Sequence, residues 1–495
     1  MTVHPAHVPV GARILATRRA GVLLHPTSLP GHPENGDLGH DAFRFIEFLA
    51  AGGFSMWQML PVCPTHDDRS PYAGLSIHAG DPRLISISWL RDRGLLSDRD
   101  TAALGDHELA VETACRRLHN HGEMQQAFTE FMAREADWLD DYALFRLLRE
   151  KYRHQPWTVW PAAARDRHPG ELEKIRAGHR PRFERYCFEQ FVFASQWREL
   201  REHARRHGVL LFGDVPIFVA LDSVDVWAHR ELFDLDEHGT PRTVAGVPPD
   251  YFSATGQYWG NPQYDWQAME ADDFAWWRGR FRKQLERFDV LRVDHFRGFE
   301  AVWSIPAGED TAVNGHWQAV PGRRLLESLR AEFGELPLVA EDLGIITAEV
   351  EALRQDFALP GMKILQFAFD GDAQNPYLPH NHEINCVVYT GTHDNNTTLG
   401  WYAELDAAAQ ARVLDYLGEP AADMPWPLNR AALASVANLA ILPMQDLLGL
   451  DGAHRMNIPG TSEGNWQWRF DWEQVPEGLS GRIRHLLELY GRLVQ

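Results

Sequence analysis

Short runs of apolar residues that end in a polar residue recur along the chain and limit the fold more than any other feature of the sequence. Strands of a parallel sheet are buried on both faces, so they appear as continuous apolar runs with functional side chains at their carboxyl ends. Such runs lie at residues 21–24, 56–61, 209–213, 290–294, 338–341, 362–367 and 386–390, and a weaker one lies near residues 455–457. The pattern predicts eight parallel strands.

Amphipathic stretches between several of these runs, such as residues 41–50 and 317–333, have the periodicity of helices that cover a sheet. Alternation of strand and helix is typical of a parallel α/β sheet, and eight such units close into a barrel. We therefore expect an α/β protein with a (β/α)8 TIM barrel fold.

The spacing of the strands is uneven, which indicates insertions into a single catalytic barrel of residues 1–495. Residues 65–206, after strand 2, contain helical patterns at 137–152 and 188–205 and are expected to form a helical insertion over the barrel mouth. Residues 217–289, after strand 3, are expected to form a loop-rich insertion bordering the active site. Its segment 246–266 is rich in Gly, Pro and aromatic residues and is expected to be an ordered loop rather than a helix.

Composition excludes several classes of protein. A chain of 495 residues with 44% hydrophobic residues can bury a substantial core. Its net charge of −21 and the absence of a Lys/Arg block disfavour nucleic acid, which needs a basic surface to neutralise phosphates. The chain has 18 Trp residues, and exposed flat rings suit stacking on sugars. Net charge says nothing about oligomeric state, which stays open.

The cysteines and the amino terminus point to a reducing, aqueous compartment. The cysteines lie far apart and form no CxxC pair, so we expect free core thiols: Cys63, Cys115, Cys187 and Cys386. The first residues contain no apolar run long enough for a signal peptide, and no segment approaches 18 consecutive apolar residues. We expect a cytoplasmic protein without a membrane partner.

The segment LRVDHFRG ends the fourth run and places Arg292 two residues before Asp294. Side chains alternate along a strand, so both face the same way while Val293 faces the surrounding helices. A guanidinium favours the ionised form of a neighbouring carboxylate, which a nucleophilic or charge-stabilising Asp requires. The alternative is a buried structural ion pair, which this segment alone leaves open.

Two further strand ends carry polar residues. Glu341 follows three apolar residues, whose walls would help it to retain a proton; alternatively it is an N-cap or surface acid. The seventh run leads into GTHDNNTT, where His393 and Asp394 lie in a turn that can bind hydroxyl groups or can be an ordinary Asx-rich turn.

Three carboxylates at three strand ends favour one common hypothesis, the chemistry of glycosidic bonds. One carboxylic acid protonates the leaving oxygen, one carboxylate traps the oxocarbenium-like carbon, and a third can hold sugar hydroxyls. Neither a metal nor another cofactor is required by this chemistry, and we expect none.

The order R-x-D, then E, then H-D resembles the α-amylase clan of retaining α-glucan enzymes. Further segments narrow the resemblance to glycoside hydrolase family 77, the 4-α-glucanotransferases: LLHPTSLPG, GDLG, WQMLPV, SPY, GDVPIFV, GQYWGNP, AEDLG, GTHDNNTT and MNIPGT. The matches run from about residue 20 to residue 469. The segment AGLSIHAGDP after SPY departs from the family pattern, which leaves the preference for acceptors open.

The resemblance implies roles residue by residue. Asp294 would be the nucleophile, Glu341 the general acid/base and Asp394 the carboxylate that stabilises the distorted donor sugar. The implied substrate-binding residues are Arg292 and His393 at the donor sugar, Tyr72, Asp250, Gln257 and Trp259 in the acceptor and chain-binding loops, Asn457 in MNIPGT, and Asp214, which matches by position only.

The implied reaction is a retaining double displacement that transfers segments of maltooligosaccharides and other α-1,4-glucans to an acceptor glucan or to glucose. The sequence shows no additional starch-binding module, so soluble maltooligosaccharides are the expected donors. Chemistry alone leaves an α-glucan hydrolase open, since the same carboxylates serve water and sugar acceptors. A catalytically inactive glucan-binding protein is disfavoured because Asp294 and Glu341 are both present.

Overall fold

The computed structural model describes residues 14–31, 35–103, 105–249, 253–418, 423–461 and 463–494. Its strands, numbered here in chain order, are β1 Arg19–Leu23, β2 Met56–Gln58, β3 Leu210–Val215, β4 Thr243–Val247, β5 Gln257–Pro262, β6 Val290–Val293, β7 Ala301–Pro306, β8 His316–Ala319, β9 Leu338–Ala340, β10 Gly361–Ile364, β11 Cys386–Tyr389 and β12 Leu439–Pro443.

Eight strands form a parallel sheet in the order β10-β11-β12-β1-β2-β3-β6-β9. The two outer strands meet where the Ala340 N–H donates a hydrogen bond of 2.9 Å to the Pro360 carbonyl, so the sheet nearly closes on itself. Side chains alternate between two buried layers. Phe212 and Val290 pack inside the barrel, while Leu211 and Val293 face the helices. The predicted (β/α)8 barrel is confirmed.

Helices surround the barrel and fill its insertions. Their bounds are His40–Gly52, Ile87–Asp92, Asp98–Ala103, His107–Arg117, Gly122–Arg134, Ala136–Lys151, Ala162–Arg165, Pro169–Gly178, Arg180–Arg206, Val224–Ala228, Trp266–Ala271, Ala275–Arg287, Gly322–Phe333, Ala348–Asp356, Thr398–Glu404, Ala407–Leu417, Trp426–Ala434, Met444–Leu448 and Leu479–Leu489. Helix His40–Gly52 buries Ala42, Phe45, Ile46 and Leu49 at helical spacing and ends where Gly53 adopts a φ of 82°.

The segment between β2 and β3 is helical, as the sequence predicts. Its last helix, Arg180–Arg206, leads directly into β3 and also serves the barrel. The Trp197 indole N–H of this helix donates to the Arg287 carbonyl at 3.1 Å, and its ring meets Phe288 edge-on at 5.3 Å. Helix Arg180–Arg206 is therefore the barrel helix of this segment, and the helices that precede it, from Ile87 to Gly178, are insertions. The exact domain limits drawn from the sequence stay a prediction.

A small antiparallel sheet has the strand order β5-β4-β7-β8. Strands β4 and β5 come from the segment between β3 and β6, and strands β7 and β8 come from the segment after β6. The predicted ordered loop at 246–266 avoids helix for most of its length, but it contains strand β5 and the start of helix Trp266–Ala271. Gly246 permits the pairing, since a Cβ there would lie 2.2 Å from the Gln257 carbonyl oxygen. Sequence alone missed these strands because their partners are distant in the chain.

The predicted eighth strand is wrong. The structure places it at β12, between β11 and β1, and not near residues 455–457. Residues 439–443 lie between two helices, Trp426–Ala434 and Met444–Leu448, so their apolar character does not distinguish strand from helix in the sequence. Residues 455–457 instead form an irregular loop beside Asp394.

Among the described residues, no helix combines the length and the apolar character that crossing a bilayer requires. The four cysteines are free thiols, as predicted, but only Cys187 and Cys386 are buried in the core, whereas Cys63 and Cys115 are partly buried.

Candidate active site

The strand register brings Asp214 and Arg292 together at the carboxyl end of the barrel. The two residues are direct partners across β3 and β6. Arg292 Nη1 donates to Asp214 Oδ2 at 2.6 Å, and Arg292 Nη2 donates to Asp294 Oδ1 at 2.7 Å. One buried guanidinium thus contacts two carboxylates. Burial lowers the pKa of Arg292, but the charges of Asp214 and Asp294 outweigh this effect and raise the pKa well above its usual value.

Asp294 follows β6 and is the more accessible of these two carboxylates. Its side chain is 27% exposed, whereas that of Asp214 is 1% exposed. The guanidinium contact occupies Oδ1 of Asp294 and leaves Oδ2 for another partner. Asp294 therefore has the surroundings of a nucleophile, and Asp214 has those of a structural anion beneath it.

Tyr72 belongs to this buried cluster. Its hydroxyl donates to Asp214 Oδ2 at 2.6 Å and accepts from Arg292 at 3.3 Å. Its ring stacks on His393 at 5.2 Å with an angle of 18°. Burial and the neighbouring Asp214 raise the pKa of Tyr72 well above its ordinary value. The structure thus places Tyr72 in contact with Asp214, Arg292 and His393.

Glu341 stands at the end of β9, one residue beyond the Val293–Ala340 pair of the β6–β9 register. Oε2 accepts a hydrogen bond from the His295 N–H at 2.7 Å, and Oε1 accepts one from the Leu343 N–H at 3.1 Å. Burial raises the pKa of Glu341 to about 8, and the charge of Asp294 adds to this effect, against the opposing pull of Arg292 and the two N–H donors. At neutral pH this carboxyl group retains its proton.

Asp394 behaves in the opposite way. Asn457 donates to its Oδ1 at 2.7 Å, and the Nε2 of His393 lies 3.3 Å from its Oδ2. Burial raises the pKa of Asp394, but the neighbouring His393, its hydrogen bond and that of Asn457 outweigh this and hold the pKa well below its usual range. Its side chain is 49% exposed, so this anion is open to a ligand.

The predicted chain-binding residues form a separate rim on β5. Gln257 and Trp259 are exposed, and the Trp259 indole N–H donates to the Gln257 amide oxygen at 3.1 Å. The Trp259 ring meets the His295 ring edge-on at 4.9 Å. Since the backbone N–H of His295 donates to Glu341, this contact connects the rim to Glu341. Asp250, which was also predicted to bind the chain, lies outside the described residues.

Sequence reasoning missed three residues that surround the cluster. Trp466 packs its ring near Tyr72 at 6.1 Å and His393 at 5.9 Å. Arg455 donates to the Asp394 carbonyl at 2.8 Å, and His295 supplies an N–H from a backbone with φ 51°. The only available signal was proximity in the chain: His295 adjoins Asp294, and Arg455 adjoins the MNIPGT segment.

The cluster is organised for proton transfer and charge stabilisation. Arg292 forms ion pairs with Asp214 and Asp294, and the Asn457 amide donates to an oxygen of Asp394. These carboxylates therefore already have cationic or N–H partners, unlike the carboxylates that surround a bound cation. One protonated carboxyl group near carboxylates above a (β/α)8 barrel defines the class of enzymes that act on glycosidic bonds.

Comparison with known proteins agrees with this class. The profile of the 4-alpha-glucanotransferase family matches residues 24–474. The chain is 46% identical to the 4-alpha-glucanotransferase of Synechocystis over 97% of this chain and 99% of that one, and 45% identical to the Thermus thermophilus 4-alpha-glucanotransferase over 96% and 99%. The amylomaltase of Streptococcus agalactiae, solved in complex with acarbose, superposes with a TM-score of 0.93 at 34% identity, covering 96% of this chain and 99% of that chain. The chain belongs to the 4-alpha-glucanotransferase family.

Proposed function

We propose that this chain transfers segments of α-1,4-glucans from a maltooligosaccharide or amylose donor to the 4-hydroxyl of an acceptor glucan or glucose, with retention of configuration. The observation that carries the proposal is the geometry of three carboxyl groups at one end of the barrel: Arg292 holds Asp294, two backbone N–H groups hold Glu341, and Asn457 holds Asp394. The pKa of Glu341 is raised to about 8, whereas that of Asp394 is lowered. A protonated acid and an anionic sugar ligand beside Asp294 are the groups that a double displacement needs.

In the first step, Asp294 Oδ2 attacks the anomeric carbon of the donor sugar while Arg292 holds Oδ1. Glu341 gives its proton to the glycosidic oxygen, the C–O bond breaks, and the leaving glucan departs with a new hydroxyl. The product is a glycosyl ester of Asp294, and Glu341 is now a carboxylate. Asp394 holds the hydroxyls of the distorted donor sugar, supported by Asn457 and His393.

In the second step, Glu341 removes the proton of the acceptor 4-hydroxyl as that oxygen attacks the anomeric carbon. The ester bond breaks, and Asp294 is released as a carboxylate that Arg292 stabilises. Two inversions give net retention. Asp214 Oδ2 accepts hydrogen bonds from both Tyr72 and Arg292, so we assign Asp214 the positioning of Arg292.

Incubation of the purified protein with maltotriose alone tests the proposal. Chain lengths are followed by chromatography, and total reducing ends are measured in parallel. We expect glucose together with maltooligosaccharides longer than the substrate, and a constant number of reducing ends. Shorter products with rising reducing ends would make the protein a hydrolase on the same carboxylates, and no turnover at all would refute both.

No step of this mechanism requires a metal or another cofactor, and we expect full activity after treatment with a chelator. The cytoplasmic location expected from the sequence stays a prediction, which fractionation of the source cells tests.

A further inference from the structure

Three potential metal ligands meet on the outer wall of the barrel, on helices that the active site does not use. Glu47 lies on helix His40–Gly52, His203 lies in the last turn of helix Arg180–Arg206, and His207 is the residue directly after that helix. One ligand atom of each side chain lies within 4.8 Å of the others. The two histidines are four residues apart, and the centres of their rings lie 4.2 Å apart.

The hydrogen bond of His207 leaves one nitrogen of its ring available to bind a metal. His207 Nδ1 lies 2.9 Å from the His203 carbonyl, an acceptor that requires this nitrogen to carry the hydrogen. Nε2 of His207 then has a free lone pair. A carbonyl that fixes the tautomer in this way is the usual outer support of a metal-binding imidazole.

His203 is held in place and shielded from solvent. Its Nε2 is buried and lies 3.4 Å from Oε1 of Glu47 without the geometry of a hydrogen bond. Its ring lies 4.9 Å from the ring of Phe43 and 4.2 Å from that of His207. A cation between Nε2 of His203 and the exposed carboxylate of Glu47 would give this buried nitrogen a partner.

The surroundings of His203 favour its neutral imidazole, which is the form that binds a metal. Burial and the adjacent His207 lower the pKa of His203, and Arg206 adds to this effect, while Glu47 opposes it. The guanidinium of Arg206 lies 3.6 Å from Glu202 on the same helix, so part of its charge is neutralised.

From this geometry we propose that Glu47, His203 and His207 bind a divalent ion of the zinc class. Two imidazoles and one carboxylate suit Zn²⁺ and its transition-metal neighbours, whereas Mg²⁺ and Ca²⁺ prefer oxygen ligands. Water completes the coordination. The ion would join helix His40–Gly52 to helix Arg180–Arg206, so its role is to stabilise the barrel wall and not to take part in glucan chemistry.

Titration calorimetry with ZnCl₂ on the full-length, tag-free protein, after removal of metals, tests the site. We expect one equivalent of zinc to bind, and His207→Ala to weaken binding on the order of tenfold or more through loss of a ligand. His485→Ala is the matched control, because His485 is exposed on helix Leu479–Leu489, outside the cluster, and its loss should leave zinc binding unchanged. MgCl₂ should give no comparable binding.

His207 is exposed, so its replacement by Ala should leave the fold intact, which circular dichroism checks. In a second measurement, zinc should raise the melting temperature of the wild type and of His485→Ala, but not that of His207→Ala or Glu47→Gln. Equal zinc affinity in the wild type and in His207→Ala would place the ion elsewhere and overturn the proposal. Absence of zinc binding in the wild type would overturn it as well.

Discussion

The floor and the rim of the active site are built in different ways. On the floor, Asp214, Arg292 and Asp294 are held by strand register and by ion pairs of 2.6 and 2.7 Å. On the rim, Gln257 and Trp259 lie on an insertion strand, and Trp259 is 38% exposed. The buried floor has little freedom to move, which suits bond breaking, whereas the exposed rim can discriminate between acceptor sugars.

We assign bond chemistry to the floor and choice of acceptor to the rim. Changes on the floor should therefore lower the rate with every substrate, and changes on the rim should alter the dependence on acceptor.

Asp294→Asn should have the largest effect. The amide cannot form the glycosyl ester, so we expect kcat/KM for maltotriose disproportionation to fall by about 10⁴-fold or more. The Arg292 contact can persist through the amide oxygen, so the fold should survive, which circular dichroism checks. Retention of more than about a hundredth of the activity would exclude Asp294 as the nucleophile.

Glu341→Gln should lower kcat by about 10²–10⁴-fold, because the amide cannot donate a proton to the glycosidic oxygen. A donor with a good leaving group, such as α-maltosyl fluoride, needs no acid in the first step and should still form the glycosyl ester. Glu335→Gln changes an exposed carboxylate shortly before β9 and is the matched control with near wild-type activity. Equal losses with both donors would contradict the role of Glu341 as the acid.

Asn457→Ala removes the amide that holds Asp394 Oδ1 at 2.7 Å. A hydrogen bond to a charged group is worth about 1.5–3 kcal/mol, so we expect kcat/KM to fall about 10- to 100-fold. The loss should be similar for all acceptors, because the role proposed for Asp394 is to hold the donor sugar. A loss that depends on the acceptor would show that Asn457 acts in acceptor binding and not through the donor sugar.

The pH profile should report Glu341. Its pKa of about 8 means that the acid is protonated below this pH and loses its proton above it. Because the first step needs the protonated form, kcat/KM should decline above about pH 8, approaching tenfold per pH unit. A profile that declined already near pH 5 would show that Glu341 has an ordinary carboxyl pKa.

Trp259→Ala should have the smallest effect and the most selective one. Loss of one aromatic face costs about 0.5–1.5 kcal/mol, so we expect KM for the acceptor to rise about 2- to 10-fold while donor cleavage is nearly unchanged. Tyr258→Ala is the matched control: it is the adjacent exposed aromatic residue, and its side chain leaves β5 on the opposite face. Equal effects of both changes would refute a specific role of Trp259.

Much of the site was predictable because two of its carboxyl groups directly follow an apolar strand. Asp294 and Glu341 end strands β6 and β9, and the alternation of side chains in LRVD correctly separated Arg292 from Val293. The eighth strand was not predictable in the same way, since residues 439–443 lie between two helices and their apolar run fits either structure.

The amino-acid sequence by itself determined the barrel class and the residue types at its strand ends, because burial pattern and alternation are local properties of a chain. Only the tertiary structure decided which of those groups retains a proton. The raised pKa of Glu341 depends on burial and on Asp294, and the lowered pKa of Asp394 depends in part on Asn457, which is 63 residues away in the chain. Protonation depends on distance in space, which a sequence does not contain.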